Sequence, residues 1–255
     1  MSRPDSTSRF SDRVDSYIQY RPSYPEAIFD LLATECGLRA DWVVADVGSG
    51  TGILSRLFCD RGNTVFGVEP NRPMREAAQR HLGDSAGFIS ISGTAEDTTL
   101  PADSVDLIAA AQAFHWFDLR TTRREFSRIL RAAGWVVLIW NDRHKESTPF
   151  LRDYERLLLT HGTDYCQVDH TRVGDEELRT FFGPVGYRST SFENAQVFDF
   201  DGLHGRLLSS SYAPAENDPG YPAMAQELQQ LFDTRQVDGR VTFEYDTRVF
   251  FGRLS

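Results

Sequence analysis

The chain has 255 residues, a length that fits one domain with additions or two small domains. It carries 27 lysine and arginine residues against 37 aspartate and glutamate residues, and the resulting net charge of −10 argues against nucleic acid or an anionic membrane as a partner. Hydrophobic residues make up 40% and charged residues 25%, which excludes collagen-like, coiled-coil and wholly disordered proteins. No stretch has the apolar length of a membrane span or the character of a signal peptide, so we expect a cytoplasmic protein.

The chain begins with a polar stretch that gives way to a helical pattern. Apolar residues then recur at the spacing of one helix face, at Phe10, Val14, Tyr17 and Ile18. Pro22 and Pro25 forbid its continuation, and a second helix is predicted over 26–36, ending at Gly37.

From residue 42 onward, short apolar runs alternate with helical segments. Strands are predicted over 42–47, 64–69, 87–91, 105–110 and 134–140. Helices are predicted between them over 51–61, 72–82 and 119–131, the last closed by Ala133-Gly134. This alternation is typical of βαβ units around a parallel sheet, and strands that are apolar on both faces indicate helices on both sides.

After Asn141 the pattern changes to charged, helix-rich sequence. We interpret 143–186 as an inserted helical cap and 201–236 as a further cap segment. Strand patterns return over 187–200 and 240–251. The prediction is therefore a single domain, with a core formed by 1–142 and 187–255 and a helical lid at its N-terminus.

The three cysteines are odd in number and widely separated, at Cys36, Cys59 and Cys166. Zinc and redox sites use cysteines in closely spaced pairs, and no C-x-x-C pair occurs. We therefore predict that the cysteines are reduced packing residues.

The strongest local motif is the turn from the first predicted strand into a helix, Asp46-Val47-Gly48-Ser49-Gly50-Thr51-Gly52. Glycines here let the backbone turn tightly and approach a ligand. The dinucleotide fingerprint needs a third glycine where Ile53 stands, and Asp46 would repel a pyrophosphate. The motif therefore favours a nucleoside ligand that carries an amino group.

An acidic residue ends the second predicted strand. Glu69 stands 17 residues past Gly52, where a carboxylate can accept hydrogen bonds from both ribose hydroxyls of a nucleoside. Met74 follows at the start of a helix, where it either lies on a purine ring or serves as packing.

Together with two later segments, Gly93-Thr94-Ala95-Glu96-Asp97 and Ala111-Gln112-Ala113-Phe114-His115-Trp116-Phe117-Asp118, these motifs resemble the class I S-adenosylmethionine-dependent methyltransferases. The subgroup that the chain resembles most is the small-molecule "type 11" enzymes, close to those that act on trans-aconitate. The resemblance implies a doubly wound α/β Rossmann-like fold with a seven-stranded, mainly parallel sheet in the order 3-2-1-4-5-7-6. It also implies S-adenosylmethionine as donor, S-adenosylhomocysteine as product and a small-molecule acceptor.

The resemblance also assigns roles to residues around the donor. The three glycines would pass beneath the methionine part, Asp46 would order the loop or bind the donor's amino group, and Glu69 would hold the ribose. The residues that match the adenine-contacting pair are Thr94 and Ala95. Relatives commonly have Asp in place of Thr94, so Glu96 or Asp97 is expected to supply the carboxylate. Past the fourth strand, Gln112 is expected at the edge where ligands bind.

The segment Tyr17–Arg21 is predicted to close over the donor, with aromatic rings near the sulfonium and Arg21 near the donor's carboxylate. The alternative is a helix that only covers the edge of the sheet.

His115 is the candidate for acceptor chemistry, because it follows the fourth strand by a few positions. It would act as a general base, as a group that positions the acceptor, or only as a packed ring. A carboxylate acceptor would need no base.

The same region narrows the reaction class. The Asn/Asp-Pro-Pro-Tyr motif of enzymes that methylate amino groups of nucleic-acid bases is absent, and the partner acid of a catechol-type metal site is missing, so we expect no metal. Two alternatives remain, a nucleotide-dependent oxidoreductase and a non-catalytic S-adenosylmethionine sensor. The sequence leaves the oligomeric state open.

Overall fold

The structure is a computed structural model, and it describes residues 14–163, 165 and 173–254. Two positions used above, Phe10 in the first predicted helix and Cys166, lie outside the described residues. Cys36 and Cys59 are buried and unpaired, as predicted.

Seven strands form one sheet. They are β1 (Val43–Val47), β2 (Thr64–Val68), β3 (Phe88–Ile91), β4 (Val105–Ala111), β5 (Leu130–Arg143), β6 (Tyr187–Phe198) and β7 (Val241–Gly252). Their order is β3-β2-β1-β4-β5-β7-β6, and β7 runs antiparallel to both of its neighbours. The predicted doubly wound fold and its strand order are confirmed.

The helices of the described residues cover the sheet and extend beyond one end of it. They are α1 (Val14–Tyr20), α2 (Ala27–Glu35), α3 (Ile53–Cys59), α4 (Arg72–Leu82), α5 (Leu119–Ile129), α6 (Pro149–His161), α7 (Asp175–Phe182), α8 (Phe200–Leu208) and α9 (Tyr221–Arg235). Among the described residues, no helix combines the length and the apolar character that a membrane crossing requires.

Alternate residues of the central strands face opposite cores, as the period of a strand dictates. On one face, Leu107 of β4 packs with Leu32 of α2 and Phe58 of α3. On the other face, Ile108 packs with residues of α5 and α7, among them Phe126. The central strands are therefore buried on both sides, and side chains that can reach a ligand are found where these strands end.

Several predicted boundaries were wrong. The strand predicted over 134–140 is longer at both ends, since β5 runs from Leu130 to Arg143. The helix over 119–131 ends at Ile129, because Leu130 already pairs with Val105 at the start of β5. The helix over 51–61 begins only at Ile53, because Gly52 has a φ of +84°, outside the helical region.

The segment 143–186 divides between two surroundings. Its first helix, α6, packs with α8, α9 and the start of β7 in a separate apolar cluster. Its second helix, α7, packs through Leu178 and Phe181 on the sheet, in the cluster of Phe126. The division into a core and two cap segments stays a prediction.

The C-terminal end of α1 is hydrogen-bonded to β6 and to the residue that follows α8. Gln196 of β6 donates a hydrogen bond to the Tyr20 carbonyl at 3.1 Å, and Arg21 donates to the Ser209 carbonyl at 2.7 Å. A Cβ at Gly205 would overlap the ring of Tyr20, so a glycine allows α1 to lie directly on α8.

Candidate functional site

The glycine turn after β1 has the backbone geometry that the motif predicts. Gly48, Gly50 and Gly52 have φ values of +73°, +55° and +84°, which glycine adopts without strain. A Cβ at Gly48 would lie 2.5 Å from the Cβ of Ala113, whereas one at Gly50 would meet nothing within 4 Å. The turn is therefore packed on one side and open on the other.

Glu69 is oriented by two backbone groups. Its Oε2 accepts a hydrogen bond from the Gly50 amide at 3.0 Å, and its Oε1 accepts one from the Asn71 amide at 2.8 Å. The residue is 9% exposed, and burial raises its pKa. Each oxygen keeps a second lone pair, which fits the acceptor pair that two ribose hydroxyls require.

Asp46 lies below this turn and lines neither of the cavities described below. It is 1% exposed and accepts a hydrogen bond from the Ser55 hydroxyl at 2.6 Å. Burial raises its pKa to about 7. Of the two roles proposed for it, this position favours ordering of the loop, because Ser55 belongs to the helix that follows the turn.

A cavity of 230 Å³ opens at the carboxyl ends of β1, β2 and β4. We call it the glycine-turn cavity, and it is lined by Tyr17, Gly48, Gly50, Glu69, Pro70, Asn71, Met74, Thr94, Ala95, Glu96, Ala111, Gln112, Ala113, Trp116 and Phe117. Ligands bind at this edge in doubly wound folds. The combination of a glycine cradle, an oriented carboxylate and apolar side chains fits the nucleoside donor that the resemblance implies.

The adenine-side segment is fixed to the start of α5. Glu96 accepts a hydrogen bond from the Asp118 amide at 2.8 Å, and Thr94 accepts one from the Asp97 amide at 3.2 Å. Glu96 lines the cavity and Asp97 does not. Of the two acids considered for the missing carboxylate, Glu96 is therefore the one placed to face a ligand.

A second cavity, of 190 Å³, adjoins the first. We call it the arginine cavity, and it is lined by Tyr17, Arg21, Pro22, Tyr24, Ile53, Gln112, His115, Trp116, Asn141, Asp142, Arg143, Lys145, Tyr165, Arg206, Ser211, Tyr212 and Tyr245. Tyr17, Gln112 and Trp116 line both cavities and so form the junction between them.

Both the backbone and the side chain of Gln112 are hydrogen-bonded at the junction. Its φ is +55°, an unusual value for a residue with a Cβ, and its amide donates to the Ile139 carbonyl at 2.9 Å. Its side chain donates to the Asn141 carbonyl at 3.2 Å. Strain of this kind persists where the surrounding structure imposes it, and it often marks a functional site.

The structure separates the predicted site residues into three groups. Those that line the glycine-turn cavity are Tyr17, Gly48, Gly50, Glu69, Met74, Thr94, Ala95, Glu96 and Gln112. Arg21 and His115 line the arginine cavity instead, and Asp46 and Gly52 line neither. Of the segment that was predicted to close over the donor, Tyr17 lines both cavities and Arg21 lines only the arginine cavity.

Sequence reasoning missed several lining residues. Asn71 caps α4 by accepting a hydrogen bond from the Met74 amide at 3.0 Å, and the Asn-Arg-Pro sequence at a helix start was an available signal. Arg206 and Tyr212 carry no such signal, because they reach the cavity only through the fold of the cap segment.

No group of three or more histidine, cysteine or acidic side chains in the described part of the chain is arranged to hold a metal ion. The side chain of Asn141, near the end of β5, is hydrogen-bonded within the protein. Its Oδ1 accepts a hydrogen bond from the Thr247 hydroxyl at 2.5 Å, and its Nδ2 donates to the Ser23 carbonyl at 3.2 Å.

The sequence matches some known proteins over part of its length and others over nearly all of it. Residues 45–138 match the family described as "Methyltransferase domain". A Dictyostelium discoideum protein named as a methyltransferase is 32% identical over 244 residues, which cover 91% of this chain and 89% of that protein. An uncharacterized methyltransferase of Mycobacterium tuberculosis is 36% identical over 142 residues, so the match spans 56% of this chain and 56% of that relative.

Solved structures share the fold. A methyltransferase described as type II from Anaeromyxobacter dehalogenans superimposes with a TM-score of 0.68 at 23% identity, covering 92% of this chain and 98% of that one. An S-adenosylmethionine-dependent methyltransferase of Geobacter sulfurreducens, solved with S-adenosylhomocysteine, gives a TM-score of 0.53 at 18% identity, covering 95% and 96%.

Proposed function

Since the chain belongs to the class I S-adenosylmethionine-dependent methyltransferases, we propose that it transfers the donor's sulfonium methyl group to a small-molecule acceptor bound in the arginine cavity. The observation that supports this proposal is the pair of adjoining cavities, which share Tyr17, Gln112 and Trp116. A donor in one cavity and an acceptor in the other would meet at that junction.

The donor would be held by groups that are fixed before it arrives. Glu69 is oriented by the Gly50 and Asn71 amides and would accept hydrogen bonds from the ribose hydroxyls. Met74, which is 3% exposed, gives the cavity an apolar wall against the purine. Preformed groups of this kind need little rearrangement on binding, which favours affinity.

The bound donor supplies an electrophilic methyl carbon: a bond from the acceptor's nucleophilic atom forms as the carbon–sulfur bond breaks, and the electron pair stays on sulfur in S-adenosylhomocysteine. The protein's own contribution is to hold the two partners in line. Alignment of this kind can lower a barrier by roughly 7–11 kcal/mol. The strained Gln112 and the ring of Trp116 are the groups that would fix this geometry.

His115 directly precedes Trp116 of the junction, and the centroids of their two rings are 4.9 Å apart. It lines the arginine cavity and not the glycine-turn cavity. In this proposal it would therefore contact the acceptor rather than the donor. Its roles as base, positioning group or packed ring stay alternative predictions. A substrate like that of the trans-aconitate enzymes and a cytoplasmic location also stay predictions.

Two measurements on the full chain test the proposal. Calorimetry should detect binding of S-adenosylmethionine and of S-adenosylhomocysteine. It should detect no binding of NAD, because Ile53 replaces the third glycine of the dinucleotide fingerprint. Incubation with methyl-labelled donor and a panel of carboxylate, phenol and amine acceptors should transfer label to at least one of them. Donor binding without transfer to any acceptor would point to a sensor, and NAD binding would point to an oxidoreductase.

A further inference from the structure

The arginine cavity contains a buried cation from the cap segment. Arg206 of α8 is 5% exposed, and its Nη1 donates to the Ser210 hydroxyl at 3.0 Å. Its Nε is buried and has no hydrogen-bond partner among the described residues. The guanidinium carbon lies 5.7 Å from the centre of the Phe243 ring, so an apolar surface backs the charge.

A second guanidinium approaches the same space from the end of α1. Arg21 donates to the Ser209 carbonyl at 2.7 Å, and its Nε is also buried without a partner in the described structure. Burial, and next to it the positive charge of Arg206, lower the pKa of Arg21. The two cations therefore repel each other across the cavity.

Among the described residues, no carboxylate forms an ion pair with Arg21 or Arg206, whereas each of the other charged residues that line this cavity has a partner of opposite sign. Arg143 and Lys145 both pair with Glu155, and Asp142 pairs with Arg248. Although burial raises the pKa of Tyr212, the positive charges of Arg206, Arg21 and Arg143 outweigh it and the pKa is lowered. The cations of this cavity that lack an acidic partner in the described structure are therefore Arg21 and Arg206, which line it together with Tyr212.

A buried charge is costly unless a partner of opposite sign compensates it. Two guanidinium groups without such a partner fit an oxyanion, because their planar forks present paired donors to a carboxylate or a phosphate. Resting on the function proposed above, we propose that Arg21 and Arg206 bind a carboxylate or phosphate group of the methyl acceptor.

This anionic group is an anchor and not the atom that receives the methyl group. Neither arginine lines the glycine-turn cavity, whereas Tyr17, Gln112 and Trp116 line both cavities and mark where transfer occurs. In addition, an oxyanion whose charge is neutralised by two guanidinium groups is a weaker nucleophile than a free one. The acceptor class is therefore a small molecule with an anionic anchor and a separate nucleophilic atom.

The test uses the full chain saturated with S-adenosylhomocysteine. Acetate and inorganic phosphate are titrated by calorimetry, with acetamide as the neutral counterpart of acetate. We expect at least one anion to bind and acetamide not to bind. Arg206→Gln should weaken the binding of that anion by about tenfold or more, since a charge-assisted hydrogen bond is lost. Comparison of the acetate and phosphate titrations shows which oxyanion the two arginines prefer.

The matched control is Arg156→Gln, on a neighbouring helix, because Arg156 is 73% exposed and should not affect anion binding. Arg206→Lys keeps the charge and should give an intermediate affinity, and Arg21→Gln provides a second reading if Arg206→Gln does not fold. A cooperative thermal unfolding transition like that of the wild type identifies the variants that are intact.

Three results would overturn the inference. The first is that acetamide binds as tightly as acetate. The second is that neither arginine substitution changes the affinity for the anion. The third is that the substitutions weaken the binding of S-adenosylhomocysteine and not that of the anion, which would assign the two arginines to the donor's own carboxylate. Methylation of acetate by S-adenosylmethionine, detected as its methyl ester, would overturn the anchor role. A protein that binds no donor or transfers no methyl group to any acceptor would instead refute the proposed function, so the two failures are distinguishable.

Discussion

The two adjoining cavities are built in different ways. The glycine-turn cavity is shaped mainly by backbone at the ends of β1, β2 and β4, with Glu69 held by two amides. The arginine cavity is shaped by long side chains from segments that are far apart in sequence, and Arg21 and Ser209, which hydrogen-bond there, are 188 positions apart. The first depends on local geometry that tolerates few changes, and the second on side chains that can be changed one at a time.

The largest effect should follow a change in the backbone-built cavity. Gly48→Ala should cost about 2–5 kcal/mol of unfolding free energy, because it combines a left-handed φ with overlap against Ala113. Gly50→Ala is the matched control, with a similar φ and open space around it, and should cost only about 1–2 kcal/mol. Urea unfolding measures both, and equal losses would show that the packing against Ala113 does not matter.

A second effect should fall on donor affinity. Glu69→Ala should weaken the binding of S-adenosylhomocysteine by about a hundredfold or more, since two charge-assisted hydrogen bonds at roughly 1.5–3 kcal/mol each are lost. Glu69→Gln keeps one oxygen and should lie between this variant and the wild type. Calorimetry measures the affinity, with the exposed Glu76→Ala on α4 as control. Unchanged affinity in Glu69→Ala would contradict the ribose-binding role.

A third effect should appear in the pH dependence of stability. Burial raises the pKa of Asp46 from 3.8 to about 7, so the folded protein holds this proton more tightly than the unfolded chain does. The wild type should therefore lose stability relative to Asp46→Asn as the pH rises from about 4 to about 7. Unfolding at several pH values measures the difference, which should be constant if Asp46 does not titrate in this range. If Asp46 only orders the loop, the substitution should leave donor affinity nearly unchanged.

The smallest effect is expected in the side-chain-built cavity. His115→Ala and His115→Gln should leave donor affinity unchanged, because His115 does not line the glycine-turn cavity. If His115 positions an anionic acceptor that needs no base, His115→Gln should retain turnover and His115→Ala should lower kcat/KM by about tenfold, the loss of one hydrogen bond. A steady-state assay with an acceptor from the panel measures this. Equal collapse in both variants would instead identify a general base, and no change in either would identify a packed ring.

What the sequence by itself determined is the local part of this protein. The alternation of strands and helices predicted a sheet covered by helices on both sides, and the glycine turn and the acid at Glu69 predicted a nucleoside site, because each depends on conformations set within a few residues. The strand order and the adenine-side residues came from the resemblance to a known family. The ends of α3 and α5 were misplaced because a left-handed glycine and the pairing of Leu130 with Val105 override helical propensity.

Only the tertiary structure decided the composition of the arginine cavity. Arg21, which follows α1, was predicted at the donor's carboxylate, and nothing in the sequence around Arg206 of α8 distinguishes it from an arginine at the surface. Their meeting depends on α1 lying against Gly205 and on α6, α8 and α9 packing against the start of β7. Contacts between such distant segments arise when apolar surface is buried on folding, and no local pattern encodes which charged side chains that burial brings together.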